Sequence, residues 1–292
     1  MLAQQLANGV MLGSTYALVA IGYALVFGVL RILHLAHGEV FMVGAFVGVE
    51  IVLGMNVGPF VALIGGLVGS AVLGVCLELV AFRPIRRRSG GFLAPIVSSI
   101  GAGLVLQEVM TRIFGAEQIG FPPQLTTAVY RLGPVAVSGA QLFILAVALG
   151  TMLLLHLFVT RTRHGMAMRA AAESIEIASI LGIDVDRVIM LTFAVASALA
   201  GIAGVLIGLA YNAISPYMGV DMTTKGLAIM LIGGLGSVYG AMAGGLLLGV
   251  VEIVSVAYLA SSYRDAFAFS LMILVLLLRP RGLFATGVDV ER

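Results

Sequence analysis

Residues 6–30 read Leu-Ala-Asn-Gly-Val-Met-Leu-Gly-Ser-Thr-Tyr-Ala-Leu-Val-Ala-Ile-Gly-Tyr-Ala-Leu-Val-Phe-Gly-Val-Leu, a run without a single charge. The hydrocarbon core of a bilayer takes about 20 apolar helical residues, so this run is long enough to cross one. It lacks the basic segment that precedes the apolar core of a signal peptide, and it reads as a retained first span. Further apolar segments follow at about Val40–Met55, Phe60–Phe82, Phe92–Phe114, Leu142–Val159, Val188–Ala210, Leu227–Ala260 and Ala266–Leu278. Unpaired backbone groups are costly in lipid, so spans are helices or closed barrels, and continuous rather than alternating apolar runs select helices. The stretch from Leu227 to Ala260 is too long for one crossing. It contains Gly233-Gly-Leu-Gly-Ser237, and each glycine weakens a helix by about 1 kcal/mol. A broken helix or helical hairpin is expected near Gly234. The fold class is therefore all-α: a polytopic transmembrane helical bundle of eight or nine helical elements, forming a single transmembrane domain over residues 1–292.

Composition supports lipid as the solvent. Of 292 residues, 61% are hydrophobic and 10% charged, against about 25% charged in ordinary soluble domains. The net charge of +2 comes without a basic block interleaved with aromatics, which argues against nucleic acid. The single cysteine, Cys76, cannot form an intrachain disulfide. The sequence has no nucleotide-binding loop of the GxxxxGK[ST] form, so the energy for any work is expected to come from another chain.

Arginines set the expected orientation. Arg83, Arg86, Arg87 and Arg88 form one basic loop, Arg161, Arg163, Arg169 and Arg187 a second, and Arg279 with Arg281 a third. All three are expected in the cytoplasm, and a hairpin at Gly234 supplies the even number of crossings this requires. Gly-x-x-x-Gly pairs recur at Gly9/Gly13, Gly44/Gly48, Gly65/Gly69, Gly204/Gly208, Gly240/Gly244 and Gly245/Gly249. They place two glycines on one helix face and let backbones approach closely.

The polar residues leave several readings open. Arg31-Ile-Leu-His-Leu-Ala-His-Gly-Glu39 is the densest polar cluster between two spans. It reads either as a polar interfacial turn or as a break that lines a solute pathway through His34, His37 and Glu39. A metal site is disfavoured, because Glu39 would face away from the two histidines on a helix. On the first span, Asn8, Ser14, Thr15 and Tyr16 either contact a polar solute or satisfy themselves locally. Within the spans only Glu50, Glu78, Glu108 and Glu252 are ionisable acids; Glu78 lies near the basic loop and Glu108 near Arg112, so both are expected to be either interfacial or paired. A nearly charge-free pathway is expected. No nucleophile–base pair suggests an intramembrane enzyme, and no metal is expected.

Residues 161–187 read as a loop carrying one short helix, Gly165 to Gly182, too short to span. Arg169, Glu173 and Glu176 would form a charged stripe, with Met166, Ala170, Ile177 and Leu181 opposite. Asp184 can cap the span that follows. Such a helix lies in the headgroups or docks into a partner protein.

The run Asn8 to Tyr23, Leu35-Ala-His-Gly-Glu39, Arg83-Pro-Ile-Arg86, Gly165-Met-Ala-Met-Arg-Ala-Ala-Ala-Glu173, Ala178-Ser-Ile-Leu-Gly-Ile183, Asp186-Arg187, Gly233-Gly-Leu-Gly-Ser237, Gly240 to Gly245 and Leu274 to Pro280 resembles LivH-type permeases, subunits of ATP-binding-cassette importers of branched-chain amino acids. The resemblance covers nearly the whole chain. It implies a second, LivM-like permease subunit, two cytoplasmic ATPases that bind ATP and magnesium, a periplasmic binding protein, and a place among the lipids of the bacterial inner membrane. Arg169, Ala170, Glu173, Ala178 and Gly182 match the loop motif that couples such permeases to their ATPases. Similar permeases carry urea or short-chain amides. An ion-coupled secondary transporter is the alternative from a different class; its mark would be intramembrane acids, which are scarce here. The stretch between Arg112 and Gln141 is compact beside some relatives.

Overall fold

The computed structural model describes residues 2–88, 91, 93–120, 129–132, 135–259 and 261–284. The expected segment ends at Phe92 and Ala260, and part of the stretch between Arg112 and Gln141, lie outside the described residues. The chain runs α1 (Leu2–Leu30), α2 (His37–Met55), α3 (Pro59–Leu77), a π turn (Glu78–Phe82), α4 (Arg83–Arg87), α5 (Leu93–Phe114), β1 (Ile119–Gly120), β2 (Val129–Leu132), β3 (Val135–Ser138), α6 (Gly139–Arg161), α7 (Arg163–Glu173), α8 (Ile175–Ile180), α9 (Val185–Tyr211), β4 (Ala213–Ile214), α10 (Met218–Gly233), α11 (Val238–Tyr258) and α12 (Arg264–Leu278). Among the described residues, seven helices are long and apolar enough to cross a membrane: α1, α2, α3 continued through α4, α5, α6, α9 and α11. The 16-residue α10 and 15-residue α12 are shorter than a full crossing needs.

Local chemistry sets the boundaries. Ser138 and Gln141 form a reciprocal capping box at the start of α6. Asp184 caps α9 as its sequence position suggests, accepting from the Arg187 amide at 3.1 Å. The break expected near Gly234 is present: Gly234 and Gly236 take φ of 108° and 75°, backbone that favours glycine, and Ser237 then caps α11.

At the centre, α1 is buried along most of its length and packs antiparallel on α11. Glycines make that contact possible. A Cβ on Gly13 would lie 2.7 Å from the Cα of Leu246, and one on Gly245 2.6 Å from the Cα of Ala17. A second group packs α2, α3 and α9 together, with Gly44, Ser70 and Gly201 at the crossing.

The contacts sort the connections to two ends. Arg83, Arg86 and Arg87 all reach Asp186 at the start of α9. The amides of Leu283 and Phe284 bond the carbonyls of Ile232 and Gly233 at the end of α10, and Gly236 sits beside Gly28 near the end of α1. The three basic segments thus share one end of the bundle, as the arginine pattern requires. At the other end β1 pairs with β4, and Gln4 exchanges two hydrogen bonds with Ala136 on β3. Glu78 accepts from Arg86 at 3.0 Å and Glu108 from Arg112 at 2.7 Å, so both acids are paired.

Gly245→Val forces α1 and α11 apart. Overpacking of this kind costs ~1–3 kcal/mol, so the melting temperature in detergent should fall by several degrees. Gly150→Val, where a side chain meets nothing within 4 Å, should leave it unchanged; equal melting of the two variants would refute the packing.

Candidate functional site

Three features are candidates for a functional role. The first is a cavity of about 540 Å³ between α1, α9, α10 and α12. Its lining includes Gln118, Tyr211, Ala213, Ile214 and Ser215, which places its mouth at the end opposite the basic segments. Phe41, Ile207, Met218 and Met222 supply apolar wall, and Tyr16, Asp221, Lys225 and Arg264 supply polar wall. Behind the cations lies Glu252, with no exposed surface. Its Oε1 accepts from Lys225 Nζ at 3.0 Å and from the Tyr16 hydroxyl at 3.1 Å, and Arg264 Nε donates to the same oxygen. Arg264 Nη2 donates to the Tyr211 hydroxyl at 2.7 Å. Two cations on one buried carboxylate offset part of a desolvation cost that none could bear alone.

The wall of this cavity is charged, whereas the sequence leads one to expect a nearly charge-free lining for a solute pathway. Glu252 is visible in the sequence as an intramembrane acid, but its cations lie outside the apolar runs: Lys225 just before the segment that begins at Leu227, and Arg264 just before Ala266. One signal is available there, since Lys225 is the sole lysine of the chain. Of the residues expected on the first span, only Tyr16 lines the cavity. Ser14 and Thr15 donate to the carbonyls of Met11 and Leu12 and are buried. Asn8 accepts from Gln4 at 3.1 Å and lies within 3.4 Å of Gln141 at the far end.

The second feature is the break between α1 and α2. Arg31 takes φ of 54°, and the chain folds back into the bundle. His37, the first residue of α2, lies with its ring against Gly22. That is eight residues back from the end of α1, or about 12 Å at 1.5 Å per residue. Its ring centroid is 4.7 Å from that of Tyr23; the ring of His34 is 4.9 Å from Phe82 and 5.2 Å from Phe193. Both histidines are buried; neither ring nitrogen of His34 has a hydrogen-bond partner among the described residues, and the ring of His37 has only the Val19 backbone near it as a partner. Such atoms cost free energy unless water or a passing solute bonds them. Glu39 points elsewhere, into a separate cleft of about 230 Å³ with Ser99 and Thr223. No group of three His, Cys, Asp or Glu side chains able to hold a metal occurs among the described residues.

The third feature is the 161–187 loop at the basic end. The sequence pattern predicts one helix from Gly165 to Gly182; there are two. Ser174 is extended (φ −156°, ψ 116°), and its hydroxyl accepts from the Ile177 amide at 3.2 Å. A serine that caps a new helix competes with continuation of the old one, so α7 ends at Glu173. The stripes change accordingly. Met168, Ala171 and Ala178 face the bundle, whereas Met166, Ile177, Ile180 and Leu181 are exposed by 59, 58, 78 and 72%. Arg169 and Glu173 are exposed and Ala170 is half-buried. Gly182, at φ 82°, turns the chain into α9.

Residues 5–276 match the family described as branched-chain amino acid transport system, permease component. The chain is 40% identical to the high-affinity branched-chain amino acid transport system permease protein LivH of Escherichia coli K12, over 99% of this chain and 97% of that one. It is 38% identical to the corresponding protein BraD of Pseudomonas aeruginosa, with the same coverage, and 26% identical to a probable LivH of Methanocaldococcus jannaschii, over 98% of this chain and 93% of that one.

Replacing Glu252 with leucine removes the buried carboxylate that Lys225 and Arg264 share, and breaking a buried pair in this way costs about 3–5 kcal/mol. Thermal unfolding of the purified protein should show a marked loss of stability. A variant as stable as the parent would contradict the pairing.

Proposed function

This chain belongs to the family of branched-chain amino acid transport permeases, and on that premise we propose that it is the membrane-spanning subunit of an ATP-binding-cassette importer carrying branched-chain amino acids across the bacterial inner membrane. It is a multi-pass membrane protein and one component of a multi-subunit transport system. In this reading the other components are a LivM-like permease, two cytoplasmic ATPases that bind ATP and magnesium, and a periplasmic binding protein that delivers the solute. The chain itself performs no covalent chemistry.

The observation that carries the reading is the α7–α8 unit. Exposed large apolar side chains on a short cytoplasmic element suit a groove on a partner protein, and Ile177, Ile180 and Leu181 project together with Arg169 and Glu173 nearby. The opposite side of α7 packs on α1 and α9. Those two helices also wall the cavity, through Tyr16, Ile207 and Tyr211. A push on α7 from an ATPase would therefore be transmitted to the cavity by rigid helices. The solute would leave the cavity past Tyr23, His37 and His34, and the histidine ring nitrogens can bond a zwitterion in transit.

Two experiments test this. Ile180→Asp with Leu181→Asp changes only exposed positions, so the permease should still fold, but the ATPase should no longer co-purify and uptake should fall at least tenfold, the effect of about 1.4 kcal/mol or more. Undiminished co-purification would sink the docking role. His37→Ala should slow leucine uptake by the assembled importer; normal uptake with normal assembly would remove His37 from the pathway.

A further inference from the structure

We propose that Lys225 and Arg264 receive the carboxylate of a zwitterionic amino acid at the cavity wall, with Asp221 facing its ammonium group. The inference rests on the importer reading and names the chemical feature that this subunit would select. Two cations share one oxygen of Glu252, the one buried acid beside them, whereas Asp221 on the same wall is exposed. Asp265 lies 3.4 Å from Lys225, but its side chain is 67% exposed and screened by solvent. Tyr211 fixes Arg264 through Nη2, leaving the other terminal guanidinium nitrogen without a hydrogen bond among the described residues. Guanidinium and ammonium groups are strong donors to carboxylates.

Asp221 lines the same cavity four residues before Lys225 on α10. One helical turn separates them, roughly 6 Å along the axis. They form no ion pair with each other, and a zwitterion can lie between them with its charges matched to both. Phe41, Ile207, Met218 and Met222 then offer apolar surface to a branched side chain. Glu252 is a positioning residue: it holds both cations from behind and does not line the cavity. Urea and simple amides lack the carboxylate. A wall built around a cation discriminates against ligands that leave it unpaired.

The test uses the membrane complex with its ATPases, in nanodiscs and without the binding protein, probed with radiolabelled L-leucine and competed with leucine or leucinamide. Leucinamide keeps the ammonium and side chain but has no carboxylate. In the parent complex leucine should compete at least tenfold better than leucinamide, the effect of one charge-assisted hydrogen bond. Arg264→Gln should weaken leucine at least tenfold and nearly erase that preference, whereas a purely structural role would weaken both competitors alike. Absence of displaceable leucine binding, no preference in the parent, or an unchanged preference in Arg264→Gln overturns the proposal. Should Arg264→Gln fail to assemble, Tyr211→Phe decides: it should lower leucine affinity about threefold and leave leucinamide unaffected, and no change overturns the site. Leucine uptake by the complete importer separates the two readings. A parent importer that fails to take up leucine contradicts the proposed function, while normal uptake by both the parent and Arg264→Gln contradicts only the carboxylate site.

Discussion

The carboxylate of Glu252 has no exposed surface, and a charge so placed must be paired where it stands. Its partners come from three other elements: Tyr16 on α1, Lys225 on α10 and Arg264 at the start of α12. This one oxygen therefore ties four helices together around a point inside the bundle. The cavity lies in front of the pair of cations, so the interaction that joins the helices also sets the chemistry of the wall.

Glycine does for packing what Glu252 does for charge. The contact between α1 and α11 brings backbone to backbone at Gly9, Gly13, Gly245 and Gly249, with little side-chain bulk to absorb displacement. Close-packed helices transmit strain rather than dissipating it. The path from α7 through α1 and α9 to the cavity runs along packed helices. In the proposed importer this lets a cytoplasmic movement reach a site near the opposite end of the bundle.

The helical bundle is legible in the sequence because lipid leaves few alternatives to helices, and uncharged runs such as residues 6–30 mark them directly. Arginine placement gives the common end of the three basic segments, and the glycines at 233–236 give the break before α11. What stays hidden has a shared cause. Lys225 and Arg264 stand outside the apolar runs, and hydropathy assigns such residues to the edges, whereas folding carries Lys225 to Glu252 inside. The same holds for the 161–187 loop: Ser174 is as compatible with a helix interior as with a cap, and only its extended backbone shows that it divides the helix. The apolar residues then fall on outer surfaces that a single-helix pattern does not assign to them. His34 and His37 read as a polar break, but the fold-back that buries them follows from the positive φ at Arg31, which no local signal announces.

The central claim is that this bundle moves solute only when driven by separate ATPases. Its most direct test is reconstitution of the chain into liposomes, alone and with the proposed partner permease, ATPases and binding protein, followed by measurement of leucine accumulation. The account predicts uphill accumulation only in the complete system supplied with ATP and magnesium. Accumulation by the chain alone, driven by an ion gradient, would contradict it.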